Sequence, residues 1–359
     1  RSVIDITMDE DLIGLAEVVM VGYATTKEAD IVGAVSMVKT DEIASKPVGS
    51  LTQSLPGTIP GLIIRDEGGV PGSTAGTFQI RRLGSPLVIV DGMEQSFSYM
   101  DPNEIESITV LKDASAAIYG ARAGNGVILV TTRRGSEKKQ EFNVSATQTM
   151  SRPTVFPELA DAATYATLKN EGNLSAGLAP RYTEEEIEKF RDGSDPMYPN
   201  TDMWSETFKK WALMTDLNIN SSGGNKAASY FVSAGVKDQG TSLRSGSITF
   251  RRISLRSNLD VNITRRLKAT LDLSGRFEDR NEPGLDFAAL MSGMYASLPV
   301  YPVKYPDKTI VPYTGLNAYN PYYSSQTAFS GYNTDKFKMF RGTFGLNYNF
   351  NDFIKGLSA

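Results

Sequence analysis

Between Arg252 and Val261 the side chains alternate: Ile253, Leu255, Leu259 and Val261 are apolar, whereas Arg252, Ser254, Arg256, Asn258 and Asp260 are polar or charged. A β-strand turns successive side chains to opposite faces, so such a run makes one apolar and one polar surface. The pattern recurs with Leu267, Ala269, Leu271, Leu273 and Phe277 against Lys268, Thr270, Asp272, Ser274 and Arg276. It recurs again with Phe340, Phe344, Leu346, Tyr348 and Phe350 against Arg341, Thr343, Asn347 and Asn349, and in weaker form at 142–150, 213–222 and 230–237. About six strands result, of the roughly 9–11 residues that a tilted strand needs to cross a bilayer. Half-buried strands of a soluble antiparallel sheet alternate in the same way, and the connections separate the two readings. A long connection (151–212), a short turn (222–226), a medium loop (238–248), a short turn (263–265) and a long connection (279–335) follow in order. Turns short on one side and loops longer on the other are the pattern of outer-membrane barrels. If the first strand rises from the periplasm, the three longer connections face outside the cell.

Composition removes whole classes of mechanism. The chain has neither cysteine nor histidine. Disulfides, thiolate catalysis, Ser-His-Asp triads and Cys- or His-ligated metal sites are therefore excluded. No catalytic residues and no metal or cofactor are expected. The balance of 37 Lys+Arg against 41 Asp+Glu gives a net charge of −4, too mixed for a nucleic-acid footprint. No apolar run approaches the ~18–20 residues of a membrane helix, so a membrane crossing has to be made by strands. The chain opens on Arg1 without a charged-then-apolar leader, and a signal peptide is expected to have been removed or to lie upstream.

The first half has its own signature. Residues 86–135 read PLVIVDGMEQSFSYMDPNEIESITVLKDASAAIYGARAGNGVILVTTRRG, preceded by GAVSMVKTDEI (Gly33 to Ile43), LTQSLPGTIPGLIIRDEGGVPG (Leu51 to Gly72) and FQIRRLGSPLVIVDG (Phe78 to Gly92). In content and order these blocks closely resemble the plug domain of SusC/RagA-type TonB-dependent transporters, outer-membrane barrels of Bacteroidetes that import glycans or peptides. The blocks from Pro86 to Gly92, Asn103 to Leu111, Lys112 to Gly120 and Asn125 to Thr132 carry the match.

The resemblance implies a fold: a mixed α/β plug domain followed by antiparallel strands of a transmembrane β-barrel, here part of a 22-stranded wall. It implies these bounds: 1–16, the end of a leading Ig-like or carboxypeptidase-regulatory-like domain; 17–28, TonB box and linker; 29–138, plug; 139–359, about six barrel strands with long extracellular loops 151–212 and 279–335. Six strands cannot close such a wall, and open edges in lipid leave unpaired backbone groups. The chain is therefore expected to be the N-terminal piece of a longer protein. Within the plug, strand-like runs at Leu62 to Arg65, Leu87 to Val90, Ser107 to Leu111 and Val127 to Thr132 are expected to supply the sheet, with Asp113 capping a short helix that Gly120 stops.

The segment EVVMVGYA is an extended, β-branched stretch. By composition it reads as an ordinary linker strand packed on the plug. The resemblance instead assigns Glu17, Val18, Val19, Met20, Val21, Gly22 and Tyr23 as the TonB box, which offers its backbone to the edge of a periplasmic partner. Met20 and Ala24 depart from the family's usual valine and glycine. A second departure is the direct run of Arg81, Arg82, Leu83, Gly84 and Ser85 into Pro86 where relatives carry a longer loop. Ligand contacts are then expected from the plug loops at Asp66, Glu67, Glu94, Gln95, Phe97 and Tyr99, and from the barrel loops.

Several features invite other readings. The glycines of GARAGNG (Gly120 to Gly126) lack the GK[ST] ending of a phosphate-binding loop and follow a helix instead of opening one, so they read as backbone bends. Asp91 with Gly92 and Asp101 with Pro102 read as turns rather than a catalytic carboxylate pair. The connection at 279–335 carries Tyr295, Tyr301, Tyr305, Tyr313, Tyr319, Tyr322, Tyr323 and Tyr332. These suit sugar rings, a partner surface or an aromatic girdle, while the five prolines Pro299, Pro302, Pro306, Pro312 and Pro321 favour a rigid, self-packed loop.

The function implied by the resemblance is TonB-dependent import of a nutrient across the outer membrane, an oligosaccharide first and a peptide second. Its implied partners are TonB with its inner-membrane motor, a SusD-like lipoprotein lid and outer-membrane lipid, with no nucleic acid. The alternatives are a TonB-linked receptor or signal transducer on the same scaffold, and a structural or adhesive barrel.

Overall fold

The computed structural model describes residues 18–21, 24–27, 34–39, 42–43, 46, 48–66, 69–73, 76–82, 84–155, 157–305, 307, 309, 311–312, 314–315 and 319–350. The expected leading-domain remnant at 1–16 lies outside the described residues. The chain divides into two compact units, the first drawn from residues up to 46 with 54–66 and 76–132, the second from 47–53, 67–75 and 133 onward.

Among the described residues the first unit contains three sheets. β1 (Val18–Val21) and β2 (Ala24–Lys27) form an antiparallel ribbon with Val18 opposite Lys27 and Val21 opposite Ala24. β3 (Ala34–Lys39), β6 (Leu87–Val90), β7 (Met93–Glu94), β8 (Ile105–Lys112) and β9 (Val127–Thr132) form a five-stranded sheet in the order β3-β8-β9-β6-β7. The β6–β9 pair is parallel and the other pairings are antiparallel. β9 opens on the continuous apolar run Val127 to Val130, and β8 is buried from Ile108 through Lys112, as strands covered on both faces are. Ile108, Val110, Leu111, Val127, Ile128 and Val130 are all buried, each side chain worth about 1.5–3 kcal/mol when removed from water.

The expected strand at Leu62 to Arg65 forms as β4 (Leu62–Asp66) but does not join this sheet. It pairs with β5 (Gly76–Ile80) in a ribbon of its own, and β3 takes the sheet edge beside β8. Local sequence establishes that a strand exists; its partner depends on contacts distant in the chain. Asp113 also departs from expectation. The stretch Asp113–Tyr119 is a 3₁₀ helix with Lys112 at its cap and no side-chain cap hydrogen bond, whereas its end at Gly120 (φ 74°) is the expected glycine stop.

The second unit is a six-stranded antiparallel sheet in simple sequence order: β10 (Glu141–Ser151), β11 (Ala212–Gly224), β12 (Ala228–Gly240), β13 (Thr249–Asn262), β14 (Leu267–Pro283) and β15 (Tyr332–Tyr348). Its register carries one row of residues across all six strands: Val144, Ile219, Ala234, Leu255, Gly275 and Phe340. Val144 is 73% exposed, Leu255 44% and Phe340 76%. The opposite face is polar and covered, with Asn258 1% and Arg252 4% exposed. This reverses the arrangement of a water-soluble sheet and is that of a membrane barrel wall, apolar outward and polar inward.

The last two strands reach beyond their alternating cores. In β14 and β15, Asp279 lies opposite Lys336, Asn281 opposite Thr334 and Glu282 opposite Asn333, so residues expected to begin and end the long connection continue the ladder. Polar cross-strand pairs of this kind suit a strand that has left the hydrocarbon for water, and period-two hydrophobicity does not mark them.

At one end of the sheet the connections are short, at 225–227 and 263–266. At the other they are longer and structured. The first holds helices α2 (Ala162–Ser175), α3 (Glu184–Asp192) and α4 (Met203–Thr207), and the last holds α5 (Phe287–Ala296), α6 (Pro321–Ser324) and α7 (Thr327–Ser330). A further turn, α1 (Leu51–Ser54), lies earlier in the chain. Met203, Trp204, Phe208, Leu243, Ile248, Leu290 and Met294 form a buried cluster beneath these connections. The tyrosines serve the packing: Tyr295 stands edge-on to Trp204 at 5.3 Å, Tyr322 packs against the cluster, and Tyr319 donates its hydroxyl to the Ala289 carbonyl at 2.6 Å.

Candidate functional site

The first unit holds a cleft of about 680 Å³ whose walls include Thr77, Phe78, Ser85, Leu87, Glu94 and Phe97. Its shape comes from a two-residue hairpin. Asp91 (φ 48°) and Gly92 (φ 84°) both occupy left-handed backbone between β6 and β7, the conformation that Asp-Gly favours in tight hairpins. The Asp91 carboxylate accepts from the Thr132 amide at 3.0 Å and from its hydroxyl at 2.7 Å, pinning the turn to the end of β9. Past β7 the chain folds back so that the Gln95 amide donates to the Val88 carbonyl at 3.2 Å. The fully buried Phe97 ring then meets Phe78 at 5.1 Å. Glu94 stays exposed and forms an ion pair with Arg122.

Of the residues expected to face ligand, Glu94, Gln95 and Phe97 come together in this cleft. Tyr99 is half-buried and lines none of it. Asp66 ends β4 opposite Gly76, and Glu67 lies outside the described residues. Arg122 also lines the cleft, and nothing local singles it out, since it stands among the bend-forming glycines of GARAGNG. Those glycines do act as bends. Gly126 has φ 90°, and a Cβ there would meet Ile80 Cδ1 at 2.7 Å and the Leu111 carbonyl at 3.0 Å. Asp101 likewise makes a turn, accepting from the Asn103 amide at 2.9 Å. No group of acidic residues able to hold a metal ion occurs among the described residues.

Of the segment expected to be a TonB box, Val18, Val19, Met20 and Val21 are β1, whereas Glu17, Gly22 and Tyr23 lie outside the described residues.

The polar face of the six-stranded sheet is ionic. Lys237 meets Asp216 at 3.0 Å and donates to the Val48 carbonyl at 3.1 Å, and Arg252 Nε meets Glu278 at 2.7 Å. Where the second unit resumes at Arg133, its carbonyl accepts from Asn258 Nδ2 at 2.7 Å, and the Arg134 guanidinium spans Asp260 at 2.9 Å and Asp272 at 2.5 Å. Next to them Gly135 passes the backbone of Tyr230 so closely that a Cβ would stand 2.2 Å from its nitrogen. Charges on the covered face are thus paired, as removal from water demands.

The TonB-dependent Receptor Plug Domain family matches residues 27–127. TonB-dependent receptor P3 of Formosa agariphila is 31% identical over 279 residues, 76% of this chain and 26% of that protein. TonB-dependent receptor SusC of Bacteroides thetaiotaomicron is 29% identical over 343 residues, 91% of this chain and 32% of that protein. The chain thus spans a third or less of the length of these curated relatives. Among solved structures, the RagAB peptide importer in its open-open state superposes with a TM-score of 0.74 at 22% identity, covering 93% of this chain and 40% of that one, a likeness of fold. Plug blocks, an antiparallel sheet that is apolar outside and polar inside, and these relatives converge on one assignment. The chain belongs to the SusC/RagA type of TonB-dependent transporters, outer-membrane β-barrel proteins with an α/β plug domain.

Proposed function

We propose that the whole protein imports an oligosaccharide across the outer membrane, drawing energy through TonB. The observation that carries this reading is the succession, in one chain, of a plug-family segment at 27–127 and a lipid-suited sheet whose polar face holds paired charges. Glu17 to Tyr23 act as the TonB box. A short extended segment such as β1 suits strand addition, in which backbone hydrogen bonds to a partner's edge transmit a pull without demanding particular side chains. A SusD-like surface lipoprotein captures the ligand, and further strands close the wall so that no edge is left in lipid. The plug loops at Asp66, Glu67, Glu94, Gln95 and Tyr99 contribute ligand contacts, and the fully buried Phe97 anchors its loop from behind. A peptide is the second reading, motivated by the RagAB importer, whose cargo is named as peptide.

The test is Val19→Pro in the full-length protein. Proline removes a backbone donor from the box, so uptake of labelled ligand should collapse while surface binding persists. Unchanged uptake would remove Glu17 to Tyr23 from the mechanism.

A further inference from the structure

The outward face of the six-stranded sheet carries its charges differently at the two ends. Towards the longer connections one outward row reads Asp238, Arg251, Asp279 and Lys336 across β12 to β15. Signs alternate strand by strand, so each charge stands opposite its complement, as Lys336 meets Asp279 at 3.8 Å. The end with the short turns has no such balance. The β11–β12 turn presents Lys226, the β13–β14 turn presents Arg265 and Arg266, and the residues leading into β10 add Lys138 and Lys139, all of them exposed. The nearest acids in sequence, Glu137 and Glu141, lie towards β10 and not in the turns.

The two turns are fixed internally and joined to each other. Asn225 Oδ1 accepts from the Ala227 and Ala228 amides at 2.8 and 3.1 Å, and Thr264 Oγ1 accepts from the Arg266 and Leu267 amides at 3.2 and 3.0 Å. Asn262 bridges them, its amide donating to the Ala227 carbonyl at 2.8 Å and its Nδ2 to the Lys226 carbonyl at 2.8 Å. Lys226 and Arg265 thus stand at the ends of paired strands, β12 and β13, whose axes lie about 5 Å apart. No ion pair or hydrogen bond engages either side chain among the described residues. Lys268, by contrast, is held by Asp260 at 3.3 Å. Directly beside these cations the outward face is apolar. Val261, Ala269 and Leu346 share one outward row, Leu267 stands opposite Tyr348, and Ile263, in the turn itself, is 56% exposed.

Unspent cations at the margin of an apolar face match the two halves of a phospholipid. Its phosphate takes charge-assisted hydrogen bonds from Lys and Arg, and its acyl chains need a surface free of polar groups. A soluble anion would use the cations alone and leave Ile263, Leu267 and Tyr348 without a role. The short turns of an outer-membrane barrel face the periplasm, so the leaflet at this rim is the phospholipid one. We propose that the rim binds the headgroup of an anionic phospholipid of that leaflet, with Lys226 and Arg265 on its phosphate oxygens and Ile263 and the adjoining outward row against its acyl chains. Arg266 and Lys139 add to the positive field around it. A headgroup with two phosphates, as in cardiolipin, suits cations on two joined turns. The site goes beyond the import reading, since lipid is held at the wall whether or not cargo moves.

Native mass spectrometry of the full-length protein, titrated in detergent with cardiolipin, phosphatidylglycerol and phosphatidylethanolamine, tests it. Cardiolipin should bind more tightly than phosphatidylglycerol, and both more tightly than zwitterionic phosphatidylethanolamine. Lys226→Gln and Arg265→Gln should each weaken cardiolipin binding about fivefold, the contribution of one surface cation to an anionic lipid. Lys336→Gln, at the opposite rim, should leave it unchanged. Heat-modified gel migration checks that each variant is a folded barrel, and both turn positions are exposed, so either serves should the other fail. Equal retention of phosphatidylethanolamine, cardiolipin binding unaltered in the folded turn variants, or an equal loss in Lys336→Gln would each overturn the proposal. Displacement of the lipid by a soluble peptidoglycan fragment would overturn it too. Failure of the import reading is distinguishable, because Val19→Pro protein should still bind the lipid.

Discussion

At the residue scale, the decisive positions are those where backbone or charge leaves no choice. Gly126→Ala forces a side chain into left-handed backbone against Ile80 and the Leu111 carbonyl and should cost about 1–3 kcal/mol. Gly124→Ala, where the nearest atom is the Ala121 carbonyl at 3.5 Å, should cost little. Thermal unfolding of the two variants separates them, and equal melting temperatures would count against the bend reading. Glu278→Gln strips its partner from Arg252, which is 4% exposed, and an uncompensated buried charge costs about 3–5 kcal/mol. A loss of stability in urea that large is expected, and a loss below about 1 kcal/mol would contradict the claim that Glu278 is what holds the Arg252 charge on the covered face. The Asp91 turn was legible because Asp-Gly has few alternatives to tight left-handed geometry. The role of Arg122 was not, since an ion pair to Glu94, 28 positions away, leaves no local trace.

At the element scale, the wall was read from alternation wherever hydrophobicity had a period. Replacing Leu255 by Arg on the exposed apolar row should destabilise the assembled barrel by about 2–4 kcal/mol, the cost of a basic residue at mid-bilayer. Ser254→Ala on the covered face should be nearly neutral; heat-modified gel migration compares them, and equal effects would contradict the orientation of the sheet. What alternation missed was the polar extension of β14 and β15, and the partner of β4, both set by cross-strand pairing. The helices of the first connection carry a pH response. Asp161 accepts from the Thr164 amide at the start of α2, and Glu186 forms a reciprocal capping box with Thr183 at the start of α3. These hydrogen bonds hold both carboxyls below their ordinary values. A depressed folded pKa stabilises above the unfolded pKa of about 4 and is lost as pH falls through the folded value. The protection of the Thr164 and Glu186 amides, measured as exchange relative to the intrinsic rate at each pH, should therefore fall below about pH 4 and stay flat from there to neutrality. Protection insensitive to acid would exclude the two caps as the source of helix stability.

At the scale of the whole molecule, the family blocks made the plug and its class legible, because several separate segments match in content and in order at once. The ligand was not, because fold leaves cargo open, and the plug cleft owes its walls to residues scattered from Thr77 to Arg122. The central claim is a TonB-dependent importer assembled in the outer membrane. The most direct test is to purify the full-length protein from outer membranes in mild detergent and identify every chain and bound small molecule by mass spectrometry. The account predicts a barrel polypeptide that continues beyond these strands, together with a SusD-like lipoprotein and a bound oligosaccharide. Recovery of the protein as a soluble monomer without membrane or partner would contradict it.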